Sequence, residues 1–404
     1  MIRHARIAFV PSNVSGVIYY RVWSPAEAMR KQGVKAAVLW YGSNIFQMHP
    51  WEEDIMTEEH GARLEDDIER ACAWADVVVW MGLHTQQSIG LFREMKARYG
   101  KPFLTELDDY IFSIPAGNIA SSVYAPGTEL TKIMLEQIKI SDGIICSTPY
   151  LANLYKPLNK KVYVVENSID LSLWGRRSSP ARPRRVTIGW MGGGTHNDDH
   201  RLVKDAVVAV LEQNKNAQFV YVSGGKCPEY FEGIQRLKWH HDFKAINKYP
   251  EWIKKFKFDI GIAPLMDNNF NRGKSNLRWL EYSALGIPCV ASPLPHFKES
   301  IRHGETGFLA STKEEWIEYL NKLIREPDTR ENTGNAARQE VKDKWNPKLL
   351  GKKYKTVIQE FLNASIGTER YTEPDRGFDR RPGQHAMDGG KDTESNPSFH
   401  GAVC

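Results

Sequence analysis

Several groups of residues in this chain have the types and spacing to do chemistry on an anionic, hydroxyl-rich ligand. The first lies where the apolar run DIGIAPL (259–265) gives way to the loop FNRGKS (270–275) and then to the helical pattern NLRWLEYSALG, with Gly286 as its stop and Pro288 beyond. A loop at a helix start offers unpaired backbone N–H groups and the positive end of the helix dipole. Arg272, Lys274 and Ser275 add two charges and a hydroxyl donor there, so a diphosphate would fit. The plain alternative is that Ser275 caps the helix and both cations are solvated. Glu281 follows six residues after Ser275, close to an inward face flanked by Leu280 and Leu285. A carboxylate in that position wants a partner. Two ribose hydroxyls would serve, and so would Arg278 if the helix face were exposed.

A second group, KPFLTELDDYIF, reads as a strand ending in Glu106, Asp108 and Asp109. Acids at the carboxyl end of a strand are candidates for acid–base work, and two adjacent acids raise each other's pKa; loop caps and turns are the bland alternative. In IGWMGGGTHNDDH, Gly192, Gly193 and Gly194 follow a strand directly. Absent side chains let backbone approach a ligand, but the spacing is neither GxGxxG nor a P-loop, and a tight turn explains it equally. His196, Asp198, Asp199 and His200 could share a metal ion. The preferred reading is that Asp198 or Asp199 caps the next helix, with His196 left to face a ligand and no metal bound.

These groups need a frame that brings strand ends together. Short apolar runs (ARIAFV, KAAVLWYG, ADVVVWMG, KPFLTEL, DGIICST) alternate with helical patterns, the βα rhythm of a parallel sheet covered on both faces. After Trp174 the stretch GRRSSPARPRR, with five arginines and two prolines, breaks the rhythm. A second rhythm follows: RVTIGWMG, a helix from Asp199 to Gln213, AQFVYVSG, DIGIAPL, a helix from Ser275 to Leu285, IPCVAS, and a helix after Ser311. The expected organisation is therefore α/β, with doubly wound domains over 1–175 and 186–345, a linker over 176–185, a C-terminal helix over 346–364 and a disordered tail over 365–404. A length of 404 residues suits two cores. Facing doubly wound domains place ligands in the cleft at their strand ends.

Composition narrows the class. With 41% hydrophobic and 25% charged residues, and a net charge of +5, the chain reads as an ordinary globular protein open to an anionic partner. Five scattered cysteines without a CxxC pair suggest neither a disulfide framework nor zinc, and a reducing cytoplasm is expected. The start, MIRHARIAFVPSN, reads as a first strand rather than a signal peptide, and no transmembrane segment is expected. WIKKFKFD (252–259) alternates aromatics with lysines, as a surface helix does and as a membrane or nucleic-acid contact would.

The segment FNRGKSNLRWLEYSALGIPCVASPLPHFKESIRHGETGFL resembles the donor-binding segment of GT-B glycosyltransferases, especially family 4. That family has a Glu-x7-Glu motif before G-x-P-V-V-A, and its second Glu, which holds the donor ribose, matches Glu281 ahead of ALGIPCVAS; Gly304 and Gly307 extend the match. The first Glu falls on Gly273, beside Lys274. VYVVENSIDLSLW and IGWMGGGTHNDDH are similar to two further segments, so that the likeness covers residues 1 to 364.

The resemblance implies a GT-B fold and a glycosyltransferase using a UDP- or GDP-sugar as donor, without bound cofactor or catalytic metal. With the residue readings above, it places Gly192–Gly194, Arg272, Lys274, Ser275 and Glu281 at the donor; Asp108, Asp109 and His196 are the catalytic candidates from the residues themselves, and Asp108 stands where the family often has His, so the family's role does not carry over to it. The family's acceptor loop falls on Ser15, Gly16 and Arg21, and His84 after ADVVVWMG is a further cleft candidate. Family 4 retains configuration; an inverting route would need one of the aspartates as base. The acceptor stays open among glycan, lipid, protein and modified nucleic-acid base, and peripheral membrane contact is compatible with it. Two other readings remain: a sugar-nucleotide epimerase of the same fold, and a non-catalytic nucleotide- or nucleic-acid-binding protein.

Overall fold

A computed structural model describes residues 4–11, 16–39, 64–118, 120–176, 185–193, 196–224, 226–241, 244 and 248–366. Ser15, Gly194 and residues 367–404 of the expected tail lie outside the described residues. The first domain contains β1 (Arg6–Val10), β2 (Lys35–Val38), β3 (Val77–Met81), β4 (Phe103–Leu107), β5 (Gly143–Cys146) and β6 (Val162–Val164). The second contains β7 (Val186–Gly192), β8 (Ala217–Ser223), β9 (Leu237–His241), β10 (Ile260–Ala263), β11 (Cys289–Ala291) and β12 (Phe308–Leu309). All pairings are parallel, in the orders β2-β1-β3-β4-β5-β6 and β12-β11-β10-β7-β8-β9. Both are doubly wound sheets, and in each the strand order reverses at one point, between β1 and β3 and between β7 and β10. Strands β3, β4 and β5 are buried along their whole length, as runs without alternation require.

Helix packing departs from the expected boundaries in two places. In addition, Gly16–Arg30 is one continuous helical stretch with a wide π-type turn over Tyr19–Trp23. The helix expected over Asp199–Gln213 is split into Asn197–Arg201 and Lys204–Gln213. The long C-terminal helix Pro347–Ile366 returns to the first domain, where Leu350, Tyr354, Val357, Ile358 and Phe361 join a core with Phe9, Val22 and Met29. Trp252 and Phe256 of WIKKFKFD pack against the core around Trp174 and Ile253. No helix among the described residues is long and apolar enough to cross a membrane.

Candidate active site

The site forms where β7 and β10 part. They pair only through Ile260 with Ile188 and Gly261 with Gly189; beyond that the Tyr282 hydroxyl lies 3.2 Å from the carbonyls of both Gly189 and Ile262. A crevice at the strand ends follows from this reversal of order. Into it comes the segment 267–284: a short helix Asn269–Gly273 capped by Asn268, then the helix Leu277–Ala284, whose first turn carries no side-chain cap. Ser275 is therefore not a cap; its Oγ accepts from Asn167 Nδ2 of the first domain at 2.8 Å. Gly286, at φ +72°, ends the helix in the left-handed conformation that glycine tolerates best.

Five side chains of the first domain tie onto this segment. Besides Asn167, the Thr148 hydroxyl donates to the Gly273 carbonyl (3.0 Å), the Tyr150 hydroxyl to Asn269 Oδ1 (3.0 Å) and the Tyr20 hydroxyl to Glu281 Oε1 (3.0 Å). Asp109 accepts from Lys274 Nζ at 3.3 Å. A Cβ added at Gly273 would stand 3.5 Å from Leu151 and 3.7 Å from Tyr110. Where the resemblance has its first acid, the site thus has bare backbone facing the other domain, with the neighbouring lysine paired to that domain's Asp109.

Glu281 is 5% exposed and lies behind the residues that face the crevice. Its Oε2 accepts from Arg278 Nη1 at 2.7 Å, the partner considered for an exposed face, but here the pair is buried. Burial holds the Glu281 carboxyl above its ordinary value against the pull of Arg278 and Tyr20. The Arg278 guanidinium stands 5.7 Å over the Trp190 ring. A side chain at Gly192 would strike that ring at 2.6 Å and Arg278 Nη2 at 2.8 Å, so the end of β7 has to be glycine. Gly193 follows, half-buried.

Two cavities meet here. The narrower, about 100 Å³, is lined by Tyr20, Asp108, Asp109, Lys274, Ser275 and Arg278 among others; the wider, about 430 Å³, by Asn118, Asp198, Leu202, Met266, Phe270 and Asn271 among others. His196 and Lys274 line both. His196 Nδ1 is 2.8 Å from Asp199 Oδ2, while Asp199 Oδ1 accepts from the Met266 N–H and from Asn271 Nδ2, each at 2.8 Å. Asp199 is therefore an orienter of His196 rather than a helix cap. Its carboxylate marks Nδ1 as the protonated nitrogen and Nε2 as the basic one. Asp198 is exposed and His200 is buried under Trp190 at 4.0 Å, so the four residues do not converge on an ion. Among the described residues no group of His, Cys, Asp or Glu could hold a metal.

The acids of the first domain divide by environment. Glu106 is buried against Arg21 Nε (2.8 Å) and the Tyr354 hydroxyl (2.6 Å) of the C-terminal helix. Arg21, 1% exposed, also donates to the Val165 carbonyl and Asn167 Oδ1, both at 2.8 Å, so its guanidinium is held by interior partners where it lines the narrow cavity. Asp108 lines the narrow cavity; burial first, then the charge of Asp109, holds its carboxyl well above the usual carboxylate range. Arg272 departs from expectation too: it turns outward onto Asp267 (Nη2 to Oδ2, 3.0 Å) and lines neither cavity. His84 packs beside Tyr124, with burial lowering its pKa, and Gly16 opens the first helical turn; neither lines these cavities. Asn167 and Trp190 were invisible to sequence reasoning as site residues, because their partners lie in the other domain or on a distant helix.

Residues 185–326 match the profile of glycosyl transferases group 1. A Bacillus subtilis (strain 168) protein named as a glycosyltransferase of teichuronic acid biosynthesis is 28% identical over 181 residues, 40% of this chain and 43% of its own. The N-acetyl-alpha-D-glucosaminyl L-malate synthase of Bacillus anthracis is 26% identical over 251 residues, 60% of this chain and 65% of its own. The chain thus spans less than two thirds of the length of either relative. Among solved structures, Anabaena Alr3699/HepE in complex with UDP and glucose superposes with a TM-score of 0.60 at 12% identity, covering 88% of this chain and all of that one. A glycosyltransferase of Rickettsia africae ESF-5 gives 0.59 at 15% identity over 89% and 99%. The strand orders, the crevice between β7 and β10 and these likenesses agree: the chain has the GT-B fold, and its residues 185–326 are similar to glycosyl transferases group 1.

Proposed function

We propose that the protein transfers a sugar from a nucleotide-sugar donor to an acceptor hydroxyl, with the donor on the second domain and the acceptor entering between the two. The observation that carries this reading is the convergence, at the parting of β7 and β10, of Lys274, Ser275 and Arg278 from the second domain with Asp108 and Asp109 from the first. Cations and an uncapped helix start suit a diphosphate; acids across a narrow gap suit a hydroxyl that must lose a proton.

In this reading the bond between the anomeric carbon and the diphosphate oxygen breaks. Lys274 and Arg278 stabilise the negative charge that develops on the leaving nucleoside diphosphate. The acceptor oxygen bonds to the anomeric carbon, and its proton goes to Asp108, whose raised pKa suits a base working near neutrality. His196, held by Asp199 where the two cavities join, orients the sugar or acceptor hydroxyl. Arg278 replaces Arg272 in the donor set proposed from the sequence. Glu281 takes the ribose hydroxyls once Tyr20 withdraws. A uridine nucleotide is the favoured donor, on the strength of the UDP complexes of the HepE neighbour.

The test is a donor screen with product mass spectrometry: the protein is incubated with UDP- and GDP-sugars and with candidate glycans, lipids, proteins and hydroxymethylated DNA. Release of nucleoside diphosphate that rises with an acceptor supports transfer. Interconversion of free sugar nucleotides without acceptor would establish an epimerase instead, and binding without turnover a recognition protein.

A further inference from the structure

Away from the cleft, the chain crosses from the first domain to the second at Gly175–Arg176, beside the helix Pro327–Lys344. A separate concavity of about 570 Å³ opens there, lined by Leu171, Ser172, Arg176, Arg338, Gln339 and Lys342, with Asn335 at its edge. Three cations face it, and none of them pairs with a carboxylate among the described residues. Arg176 bonds instead to Asn335 Oδ1, and Arg338 Nη1 donates to the Gly175 carbonyl at 3.2 Å. The acids of the flanking segments are otherwise engaged: Asp170 accepts from Ser172 and Asp343 from Gln339. Burial, and then the like charge of Arg176, hold the Arg338 guanidinium below its ordinary value.

Several exposed arginines elsewhere are matched by acids: Arg93 by Glu136, Arg98 by Glu69 and Glu94, Arg302 by Glu305 and Glu340. Unmatched cations gathered round a hollow repel one another, and a multiply charged anion between them removes that repulsion while accepting from two guanidinium forks. We propose that this concavity is a binding site for a multiply charged phosphate anion, separate from the catalytic cleft and placed where the chain passes between the domains. A hollow of this kind suits a small soluble anion better than a membrane surface. None of the most exposed large apolar side chains, Val123, Leu202, Trp239 and Met266, lines it.

Equilibrium dialysis of the full chain against labelled inorganic pyrophosphate, at low salt, tests the proposal without reference to transfer activity. Wild type is expected to bind at two classes of site, since the proposed donor site also takes diphosphate. Lys274→Ala should remove only one class. Arg338→Ala and Arg176→Ala should each weaken the other about tenfold, with unchanged thermal unfolding and a marked loss of affinity as salt is raised. If Arg338→Ala and Arg176→Ala bind pyrophosphate as wild type does, the site is refuted, whatever Lys274→Ala shows. Loss of binding in Arg338→Ala alongside wild-type behaviour of Lys274→Ala would leave this site standing and count against the donor reading. In a parallel arm with phosphatidylglycerol vesicles, sedimentation that needs Arg338 while pyrophosphate binding does not would overturn the soluble anion in favour of a lipid surface.

Discussion

Removing a single hydroxyl, in Tyr20→Phe, should make the protein bind its donor more tightly. Tyr20 is 3% exposed, and its hydroxyl donates to Glu281 Oε1 at 3.0 Å while Arg278 holds Oε2 at 2.7 Å. Burial and the Glu281 charge keep the phenol protonated, so it remains a donor at every working pH. If Glu281 holds the ribose, an incoming ribose hydroxyl must displace this phenol. A hydrogen bond to a charged group is worth about 1.5–3 kcal/mol net, part of which the displaced phenol recovers from water. Deleting the competitor should therefore improve donor affinity about tenfold, corresponding to about 1.4 kcal/mol. The same change should lower unfolding stability by about 1–2 kcal/mol, because it leaves one oxygen of a buried carboxylate unpaired. Isothermal titration with UDP- and GDP-sugars, beside urea denaturation, measures both quantities. Glu281→Ala is the less clean probe. It should weaken donor binding by about 1–3 kcal/mol, but it also strands Arg278 in the interior, and breaking a buried pair costs about 3–5 kcal/mol of stability. Donor affinity that is unchanged or weaker in Tyr20→Phe would refute the competition and leave Tyr20 as a strut between the domains.

Further outcomes follow from the same geometry. Lys274→Ala should weaken nucleotide-sugar binding about tenfold by removing a charge from the diphosphate, whereas Arg272→Ala, which cuts an outward pair with Asp267, should leave it unchanged; titration of both variants decides between them. With Asp108 as base, kcat/KM should fall on acidification at a midpoint well above the ordinary value of about 4, because a carboxyl whose pKa is raised takes up its proton first as pH falls. Asp108→Asn should lower the rate about 10² to 10⁴-fold and abolish that limb, and an unchanged profile would remove Asp108 from the mechanism. His296 is buried, and burial together with Lys274 lowers its pKa to about 3. Between pH 6.5, the ordinary value, and that limit, the unfolded chain binds a proton that the folded chain refuses, so stability should drop as pH falls, by about 1.4 kcal/mol per unit for this imidazole. Urea denaturation at pH 7 and pH 5.5 should show the drop, and His296→Phe should reduce it.

Much of the architecture was legible because its signals are local. Unalternating runs such as ADVVVWMG state a strand buried on both faces, and GRRSSPARPRR states a break between two such series, since each depends only on whether a short stretch can bury itself. The run of cations ahead of a helix start was visible for the same reason, although Asn269–Gly273 is itself a short helix rather than loop, and so was Glu281 as an acid on an inward face. What local pattern could not supply was direction and partner. Arg272 and Lys274 are two residues apart in the same segment, yet one turns to Asp267 and solvent while the other reaches Asp109. Nothing in the neighbourhood of Arg21 shows that Glu106, Val165 and Asn167 will surround it at the edge of the narrow cavity. Asp199 read as a cap until the fold brought Met266 and Asn271 to one of its oxygens and His196 to the other.

The sequence by itself determined that two series of parallel strands alternate with helices, and which stretch sets cations beside a helix start, because hydrophobic period, glycine and helix-end chemistry act over a few residues. Only the tertiary structure decided which charges face the cleft and which are neutralised inside. It seated the helix Pro347–Ile366 on the first domain, so that Tyr354 reaches Glu106, and it set Tyr20 against Glu281 across 261 residues of chain. Those choices depend on desolvation and on pairing between groups far apart in sequence, and a carboxylate's role is fixed by whichever partner the closed fold delivers to it.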